Sequence, residues 1–320
     1  MRHIPLFFFL FFCTSVNATS WDEPWQEEVI ARSQTLALYK VQKSGEQLQL
    51  RLIKHLIGTK TQETIEISGY DTGYSSISGD HAHAKFPHIQ GRQYYMYLRQ
   101  DKGQFFLSSP TAGSDFLRDN GEVAGTFRIS MHQTSLKART YERAQICLFK
   151  ALHEGVCPDG EIKSLILEPL THAPAPLGQS NTPEQFRMFF RQHIALESAY
   201  ILRYSLSMKV LEPFLSAKAF HTQVSAVRAL SVSKTQNRDL KLCDIIESGQ
   251  GDGMARVMAV MMLATQKTDR ATARLREYEP KAPEKETHLG IGIMDPRIGT
   301  FFPRSVRDAI KWYLTPVSKR

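Results

Sequence analysis

Residues 35–53 read TLALYKVQKSGEQLQLRLI, and this stretch decides the fold of the first half of the chain. Apolar and polar side chains alternate on both sides of a Lys43-Ser44-Gly45 turn signal, which predicts two antiparallel strands joined as a hairpin. Further strand patterns separated by turns follow, and residues 136–153 then return to helical spacing. The further strand patterns lie at residues 63–68, 93–99, 104–108 and about 122–129. The sequence therefore predicts five or six short strands followed by a helix.

A small barrel of the OB type accommodates such strands, because closing the sheet removes its exposed edges. The runs EVIARS at residues 28–33, GRQYYMYL at 91–98 and FFLSSPTAG at 105–113 resemble the secreted netrin/tissue-inhibitor-like OB domains of bacterial proteins. The resemblance covers roughly residues 24–155. The N-terminal cysteine with which tissue inhibitors block metalloproteases is missing, so the resemblance implies the fold and not protease inhibition. The aromatic residues of the run at 91–98 are expected inside the barrel, and no nucleic-acid partner is expected.

A proline-rich stretch at residues 168–183 predicts a linker. Thr182 and Pro183 then open a helix, with Gln185 three residues after the N-cap. Short helices follow to the end of the chain, and their predicted spans are 206–217, 221–232, 238–247, 253–264, 270–278 and 303–314.

Two of these helices superimpose at Arg256 and Arg307, with apolar residues at matching positions, and Arg228 partly repeats the pattern. The helical half thereby resembles HEAT-type repeats, in which helix pairs stack into a superhelix with one concave face. The spacing is irregular, so an irregular helical bundle remains the alternative. We expect an α+β multidomain chain with a signal peptide at 1–18, an OB-like barrel domain at 19–160, a linker at 161–182 and a HEAT-like helical domain at 183–320.

The N-terminus has the three parts of a secretory signal peptide. Arg2 and His3 precede an apolar run at residues 4–12, and Val16-Asn17-Ala18 supplies small residues for cleavage. A lipoprotein anchored at Cys13 is the alternative, although bulky residues before this cysteine oppose it. No later segment approaches 18 consecutive apolar residues, so the sequence predicts an exported protein, periplasmic or secreted, whose mature chain has no integral membrane segment.

The basic residues are concentrated in the second half. Residues 1–180 hold 18 Lys and Arg and 18 Asp and Glu. Residues 181–320 hold 22 Lys and Arg but only 14 Asp and Glu. We expect a protein or an acidic envelope polymer as the partner, bound by arginines on the repeat surface. The candidates are Arg256, Arg270, Arg274, Arg304 and Arg307. For Arg256 and Arg307 the alternative is a packing role between neighbouring helices.

Three cysteines remain after removal of the signal peptide. In an oxidising compartment Cys147 and Cys157 can form a disulfide across a short loop that contains Gly155, and Cys243 then stays free in an apolar helix.

The sequence contains two incomplete chemical motifs. His81, His83 and His88 are weak candidates for a metal site, since His81 and His83 share one side of an extended segment. Ser231 and Lys234 have the S-x-x-K spacing of penicillin-binding enzymes, but no second motif accompanies them. No cofactor motif is present. The sequence therefore predicts a non-enzymatic binding or scaffold protein, with a cell-envelope hydrolase or an inhibitor-like binder of an extracellular enzyme as alternatives.

Overall fold

The computed structural model describes most of the chain after the N-terminal segment. The described residues are 21–22, 25–45, 47–68, 88–109, 113–124, 136–157, 159–178, 181–249, 251–285, 298–299 and 303–316. The predicted signal peptide, Cys13, His81 and His83 lie outside them.

Strands dominate the first half. A two-residue strand, β1 (Trp21–Asp22), pairs in parallel with a second one near the C-terminus at Ile298–Gly299. The elements that follow β1 are α1 (Gln26–Arg32), β2 (Thr35–Lys43), β3 (Leu48–Gly58), β4 (Thr64–Ile67), β5 (Gln93–Asp101), β6 (Gln104–Leu107), β7 (Ser114–Leu117), β8 (Glu122–Ala124), β9 (Leu136–Lys137) and α2 (Ala138–Glu154). The predicted hairpin is β2–β3. Sequence reasoning did not predict β7 and β9, which are only four and two residues long.

Five of these strands form a closed barrel in the order β2–β3–β4–β6–β5, and β5 closes it by pairing with β2. All of these neighbours are antiparallel except β4 and β6, which are parallel. β7, β8 and β9 extend the sheet beyond β5. This closed barrel is compatible with the OB-like domain that the sequence predicts.

Both faces of β2 are buried. Ala37, Tyr39 and Val41 belong to the interior cluster of the barrel. Leu36 and Leu38 point the other way, into a second cluster that also contains residues of α1 and α2. The tyrosines of β5 are buried as well, with Tyr94, Tyr95 and Tyr97 at most 4% exposed, so they do not offer a stacking surface. Tyr94 lies inside the barrel as expected, whereas Tyr95 and Tyr97 face the second cluster, so the expectation is wrong for these two.

The segment expected to begin the linker is partly helical. Three short helical pieces follow one another as α3 (Asp159–Ile162), a π-helical turn (Lys163–Leu167) and α4 (Glu168–Leu170). Pro169 fits because it occupies the first turn of α4, where its missing N–H is not needed. Residues 171–182 then continue without helix or strand in their described part. The division of the chain into two domains at 161–182 stays a prediction.

Helices form the second half. They are α5 (Pro183–Ile201), α6 (Met208–Leu215), α7 (Phe220–Val232), α8 (Arg238–Glu247), α9 (Gly253–Ala264), α10 (Asp269–Tyr278), a 3₁₀ turn (Glu279–Lys281) and α11 (Val306–Leu314). The short strand β10 (Ile298–Gly299) lies between the 3₁₀ turn and α11. The predicted spans of α8 and α9 are confirmed to the residue. α5 begins with the predicted capping box of Thr182 and Gln185.

The helices pack in two rows. α5 packs on α7, α7 on α9 and α9 on α11, while α6, α8 and α10 lie beside this row. A large apolar cluster fills the space between the rows, and Trp25, which precedes α1, belongs to it. Conversely, Ile194 and Ile201 of α5 belong to the cluster behind the barrel. The two halves therefore share apolar core on both sides.

No described helix is long and apolar enough to cross a membrane.

Candidate functional site

Two arginines of the predicted acidic-partner surface are engaged by carboxylates of the same protein. Arg270 forms two hydrogen bonds to Asp239, at 2.6 and 2.5 Å. The guanidinium of Arg270 holds the pKa of the Asp239 carboxyl down at about 2. Arg274 donates to Glu247 at 2.9 Å and lies 2.8 Å from a carboxylate oxygen of Asp244.

The other arginines of this set have different surroundings. Arg256 is buried and donates two hydrogen bonds to the carbonyl oxygen of Ile246, at the end of α8. Arg307 similarly donates to the carbonyl oxygen of Pro280, after α10, at 2.5 Å, and it also pairs with Glu284. Arg304 is exposed. Because Arg256 faces inward, these five arginines do not form one exposed surface, and the contacts favour the packing alternative for Arg256 and Arg307.

Ser231 and Lys234 do not share a helical turn. α7 ends at Val232, so Lys234 lies outside the helix that carries Ser231. Ser231 is 2% exposed, and its hydroxyl donates to the carbonyl oxygen of Arg228 at 2.6 Å. This hydrogen bond is the usual back-bonding of a helical serine, and it leaves the hydroxyl proton directed at the main chain.

Of the three candidate histidines, the structure describes His88. It is 1% exposed, and its Nε2 lies 2.9 Å from the Ser114 hydroxyl. Burial lowers the pKa of His88 to about 3, so the ring is neutral at physiological pH. Within the described ranges, no group of three His, Cys, Asp or Glu residues could hold a metal ion.

The cysteines are arranged in the predicted way, with a disulfide between Cys147 and Cys157 whose Cα atoms are 5.1 Å apart. Gly155, in the left-handed conformation, ends α2 and turns the chain back between them. Cys243 is a free, buried thiol. The redox state of the cysteines in the cell stays a prediction.

A buried charge cluster joins α1, α5 and α7, and we name it the Arg228 cluster, with members Arg228, Glu197, Glu27, Trp25 and Tyr200. Arg228 of α7 is 1% exposed. Its guanidinium donates to Glu197 of α5 at 2.9 Å and to both oxygens of Glu27 of α1 at 2.9 and 3.1 Å. The ring centroids of Trp25 and Tyr200 lie 3.9 and 4.1 Å from its Cζ atom. One buried cation thus connects the N-terminal helix with two helices of the second half.

The protonation states of the Arg228 cluster follow from burial and charge. Burial alone lowers the pKa of Arg228, but the carboxylates of Glu197 and Glu27 outweigh it and the pKa is raised. Burial raises the pKa of Glu197, and the opposing attraction of Arg228 does not fully compensate. Arg228 therefore keeps its proton and supplies the positive charge that two carboxylates need.

Ser225, His193 and Glu197 lie next to the cluster and have the composition of a catalytic triad without its order. The Ser225 hydroxyl donates to Glu197 at 2.6 Å and lies 3.0 Å from Nε2 of His193. Since the serine proton is directed at the carboxylate, His193 donates to the serine oxygen instead of accepting from it. Ser225 is also 0% exposed. The arrangement is a buried hydrogen-bond network and not a nucleophile with its base.

A groove lies where α2 meets the segment 159–170 and α5, and we name it the junction groove. Its volume is about 190 Å³. Its lining residues are Leu136, Thr140, Arg143, Ala144, Glu161, Ser164, Leu165, Glu168, Pro169, Arg191 and Ile194. One wall is the π-helical turn, an element found frequently at functional sites. The groove therefore combines side chains from the barrel half and the helical half.

Ion pairs border the junction groove. Arg143 lies 2.7 Å from Glu161 and donates to the Ser164 hydroxyl at 3.1 Å. Arg191 pairs with Glu168. The arginine side chains are 47% and 35% exposed, so a ligand can reach both. Apolar side chains, among them Leu136, Leu165 and Ile194, also line the groove. The groove thus offers two cations, two anions and an apolar surface.

Sequence reasoning singled out neither the carboxylates of the Arg228 cluster nor the ion pairs of the groove. A signal for the cluster was present, because Glu197 and Arg228 interrupt apolar runs at residues 194–199 and 224–230. Charged residues inside an apolar helix pattern are rarely buried unless they are paired. For the groove no comparable signal exists, since Arg143 and Arg191 lie on ordinary amphipathic helices.

Comparison with protein-family models, with curated proteins and with solved structures finds no match for this chain.

Proposed function

We propose that this chain is an exported, non-enzymatic binding or scaffold protein that contacts a partner protein through the junction groove. The observation that carries the proposal is the composition of the groove. Arg143 and Arg191, each beside a glutamate, line the groove together with apolar side chains at the place where the two halves meet. Binding sites occur preferentially at such boundaries and combine apolar surface with a few polar groups.

The ion pairs of the groove are suited to exchanging partners. An exposed pair contributes little to stability, so little is lost when a ligand carboxylate replaces Glu161 or Glu168 on its arginine. A protein surface can present carboxylate, ammonium and apolar groups together and so match all three features. An acidic envelope polymer would gain from the arginines but would be repelled by the glutamates, so a protein partner is favoured and the polymer is the second candidate.

The finer architecture of the helical half is part of the proposal. A HEAT-like stack is supported by the continuous row α5, α7, α9 and α11. It is further supported by Arg256 in the first half of α9 and Arg307 in the first turn of α11, which each donate to a main-chain carbonyl oxygen of the segment before their helix. Arg256 bonds Ile246 in the last turn of α8, and Arg307 bonds Pro280 in the 3₁₀ turn after α10. This similarity favours a stack over an irregular bundle. The first half is proposed to be an OB-like barrel with this stack attached.

Export is proposed from the composition of residues 1–18.

The alternatives to a binding or scaffold function have weaker support. A hydrolase using Ser231 would need an accessible hydroxyl, and Ser231 is buried. An inhibitor-like binder would need a rigid exposed edge near residues 19–25, and in that stretch Trp25 is held in the Arg228 cluster.

Photo-crosslinking from inside the groove tests the proposal. A photoreactive residue replaces Thr140, an exposed groove residue, in the full-length protein expressed in its native cells, and adducts are identified by mass spectrometry. We expect a protein adduct that becomes weaker at about 0.5 M salt, where charge attraction is screened. A glycan adduct would assign the polymer instead, and the absence of any adduct would overturn the proposal.

Matched variants separate the groove from the rest of the surface. The same photoreactive residue at Lys209, an exposed position on α6, should not give the adduct. Arg143→Gln and Arg191→Gln together should reduce the adduct from position 140 severalfold while the melting temperature stays within a few degrees. An adduct that is indifferent to both substitutions would contradict the role of the ion pairs.

A further inference from the structure

The barrel has one seam at which two strands barely meet. β4 and β6 are the only parallel neighbours among the described barrel strands, and a single register pair, Ile67 with Phe105, joins them. Extending this register places Glu66 opposite Gln104, where β6 begins. The first residues of β4, Thr64 and Ile65, therefore have no β6 residue beside them.

The register of β3 and β4 shows where the main-chain groups of β4 point. The Leu52 N–H donates to the Glu63 carbonyl oxygen at 2.7 Å, and in an antiparallel pair every second residue exchanges such bonds. Ile65 opposite Leu50 and Ile67 opposite Leu48 are consequently the residues that bond β3. The main-chain groups of the alternate residues of β4 point away from β3.

Thr64 and Glu66 are these alternate residues, and their main-chain groups face the seam. Ser68, which follows with the same parity, donates its N–H across the seam to Phe105 at 2.7 Å. This bond confirms the direction derived from the register. The N–H and C=O of Thr64 and the N–H of Glu66 thus form a short strand edge beyond the start of β6.

Space for a further strand lies beside this edge. A cavity of about 470 Å³ opens there. Its lining includes Lys60, Thr64, Ile65, Glu66, Gln104 and Phe105. The tight turn at Lys102 and Gly103, both with positive φ, directs the chain into β6 only after this space.

We propose that this seam, which we name the β4 edge, binds an extended polypeptide segment of a partner protein that adds a short strand to β4. The edge presents donors and acceptors at the repeat of an extended chain, and strand addition uses this complementarity for affinity. The bound segment occupies the position beside β4 that β6 leaves open. Ile65 and Phe105 line the cavity and offer apolar contact to every second side chain of the segment.

The charges of the cavity favour a polypeptide over an anionic polymer. Lys60 and Glu66 are the charged residues of the lining, and they have opposite signs. The remaining polar lining consists of neutral hydroxyl and amide side chains, which accept varied peptide side chains without attracting a polyanion. This inference adds a second contact to the molecule and does not rest on the junction groove.

Binding to synthetic peptides tests the β4 edge in the full mature protein. The probe is the acetylated and amidated peptide Lys-Thr-Val-Thr-Val-Thr-Lys. Its two matched controls carry N-methyl groups at alternate residues, so that each control lacks the main-chain N–H donors along one of the two edges of the peptide. We expect one methylated form to bind at least about tenfold more weakly than the parent peptide, because its methyl groups block the edge that bonds β4. The other form should bind about as tightly as the parent. Equal affinities for the parent and both methylated forms, or no binding of the parent, would overturn the proposal.

Amide exchange measured by NMR locates the binding. The N–H groups of Thr64 and Glu66 should exchange more slowly when the parent peptide is bound. The N–H of Ile65 is an internal control, because it already bonds β3 and should change little. Slowed exchange elsewhere, without a change at Thr64 and Glu66, would place the peptide at another site and contradict the proposal.

Two substitutions at one position separate main chain from side chain. Thr64→Pro removes the N–H that faces the seam and leaves the β3 ladder intact, since Thr64 does not bond β3. It should weaken the parent peptide about tenfold. Thr64→Val keeps the N–H and the shape of the side chain, so its affinity should stay within about twofold of the unmodified protein. If Thr64→Val weakened the peptide more than Thr64→Pro, the binding would depend on the threonine hydroxyl, and the proposal would be overturned.

Discussion

Arg228 and Arg270 are both paired with carboxylates on neighbouring helices, but they differ in their access to water. The side chain of Arg228 is 1% exposed and that of Arg270 is 52% exposed. Removing a partner from a buried pair leaves a charge that water cannot solvate, whereas an exposed pair is replaced by hydration at little cost. Asp239, the partner of Arg270, is 6% exposed, but Arg270 itself is in contact with water, so removing Arg270 should cost less than removing Arg228.

The largest effect is expected from breaking the Arg228 cluster. Arg228→Met leaves the carboxylate of Glu197 buried without its cation, and such a change destabilises by about 3–5 kcal/mol. Urea denaturation at pH 8 measures the loss. Because burial already raises the pKa of Glu197, the loss should be smaller at pH 5, where the carboxyl is more easily protonated.

A surface arginine provides the control for this prediction. Arg187 of α5 pairs with Glu184 and its side chain is 41% exposed. Arg187→Met should change the free energy of unfolding by less than about 0.5 kcal/mol. Adding Glu197→Gln to Arg228→Met should recover part of the loss, since the unpaired charge is then removed. Equal losses for Arg187→Met and Arg228→Met would show that burial does not distinguish these arginines.

His88 tests burial without an ion pair. Its folded pKa of about 3 lies below the ordinary value of 6.5, so the unfolded chain binds the proton more readily and the fold loses stability as the pH falls below 6.5. Between pH 7 and pH 4 this loss amounts to about 3 kcal/mol. His88→Gln should lose correspondingly less over the same interval. If the stability of both proteins changed equally with pH, the lowered pKa of His88 would be contradicted.

A covalent connection contributes at an intermediate level. Cys147 and Cys157 are ten positions apart, and a loop of this length predicts a loss of about 2–3 kcal/mol when both are replaced by alanine. Reduction of the unmodified protein should have the same effect, and reduction of the double variant should have none. Burial raises the pKa of Cys243 to about 12, so this thiol should resist alkylation until the protein unfolds. Labelling of Cys147 and Cys157 in the folded, unreduced protein would show that the bridge is absent.

Periodicity predicted the longer elements, but it missed several short ones and did not predict the contacts between elements. The spans of α8 and α9 and the β2–β3 hairpin followed from apolar spacing, turn residues and caps. β7 reads Ser-Asp-Phe-Leu, which has no alternation of apolar and polar residues, and β9 has only two residues. The proline-rich stretch that predicts a linker begins at residue 168, yet Pro169 fits the first turn of α4.

The charged sites show a different limit of sequence reasoning. The excess of basic residues in the second half suggested an exposed cationic surface, but counting charges does not tell which carboxylates face them. Asp239 and Glu247 are distant in sequence from Arg270 and Arg274 and meet them only through the packing of α8 and α10. The strand edge at the seam of the barrel was equally out of reach, because it depends on the register of three strands.

The smallest effect is expected at the exposed end of the comparison. Arg270→Gln removes the cation from Asp239, whose side chain is 6% exposed. The depressed pKa of Asp239, about 2, limits the expected loss of unfolding free energy at pH 7 to about 2 kcal/mol, and the loss should be smaller at high salt because the Arg270 side chain is 52% exposed. Asp239 keeps the hydrogen bond from the Thr268 hydroxyl in this variant, and its pKa should rise from about 2 towards the ordinary value of 3.8, which NMR titration of the carboxyl can follow. Because a depressed carboxyl pKa stabilises the fold above 3.8 and this contribution disappears as the pH falls towards 2, the difference between the two proteins should vanish in acid. A fall in melting temperature as large as that of Arg228→Met would mean that Arg270 is shielded from water in solution, and the contrast between the two arginines would then be lost.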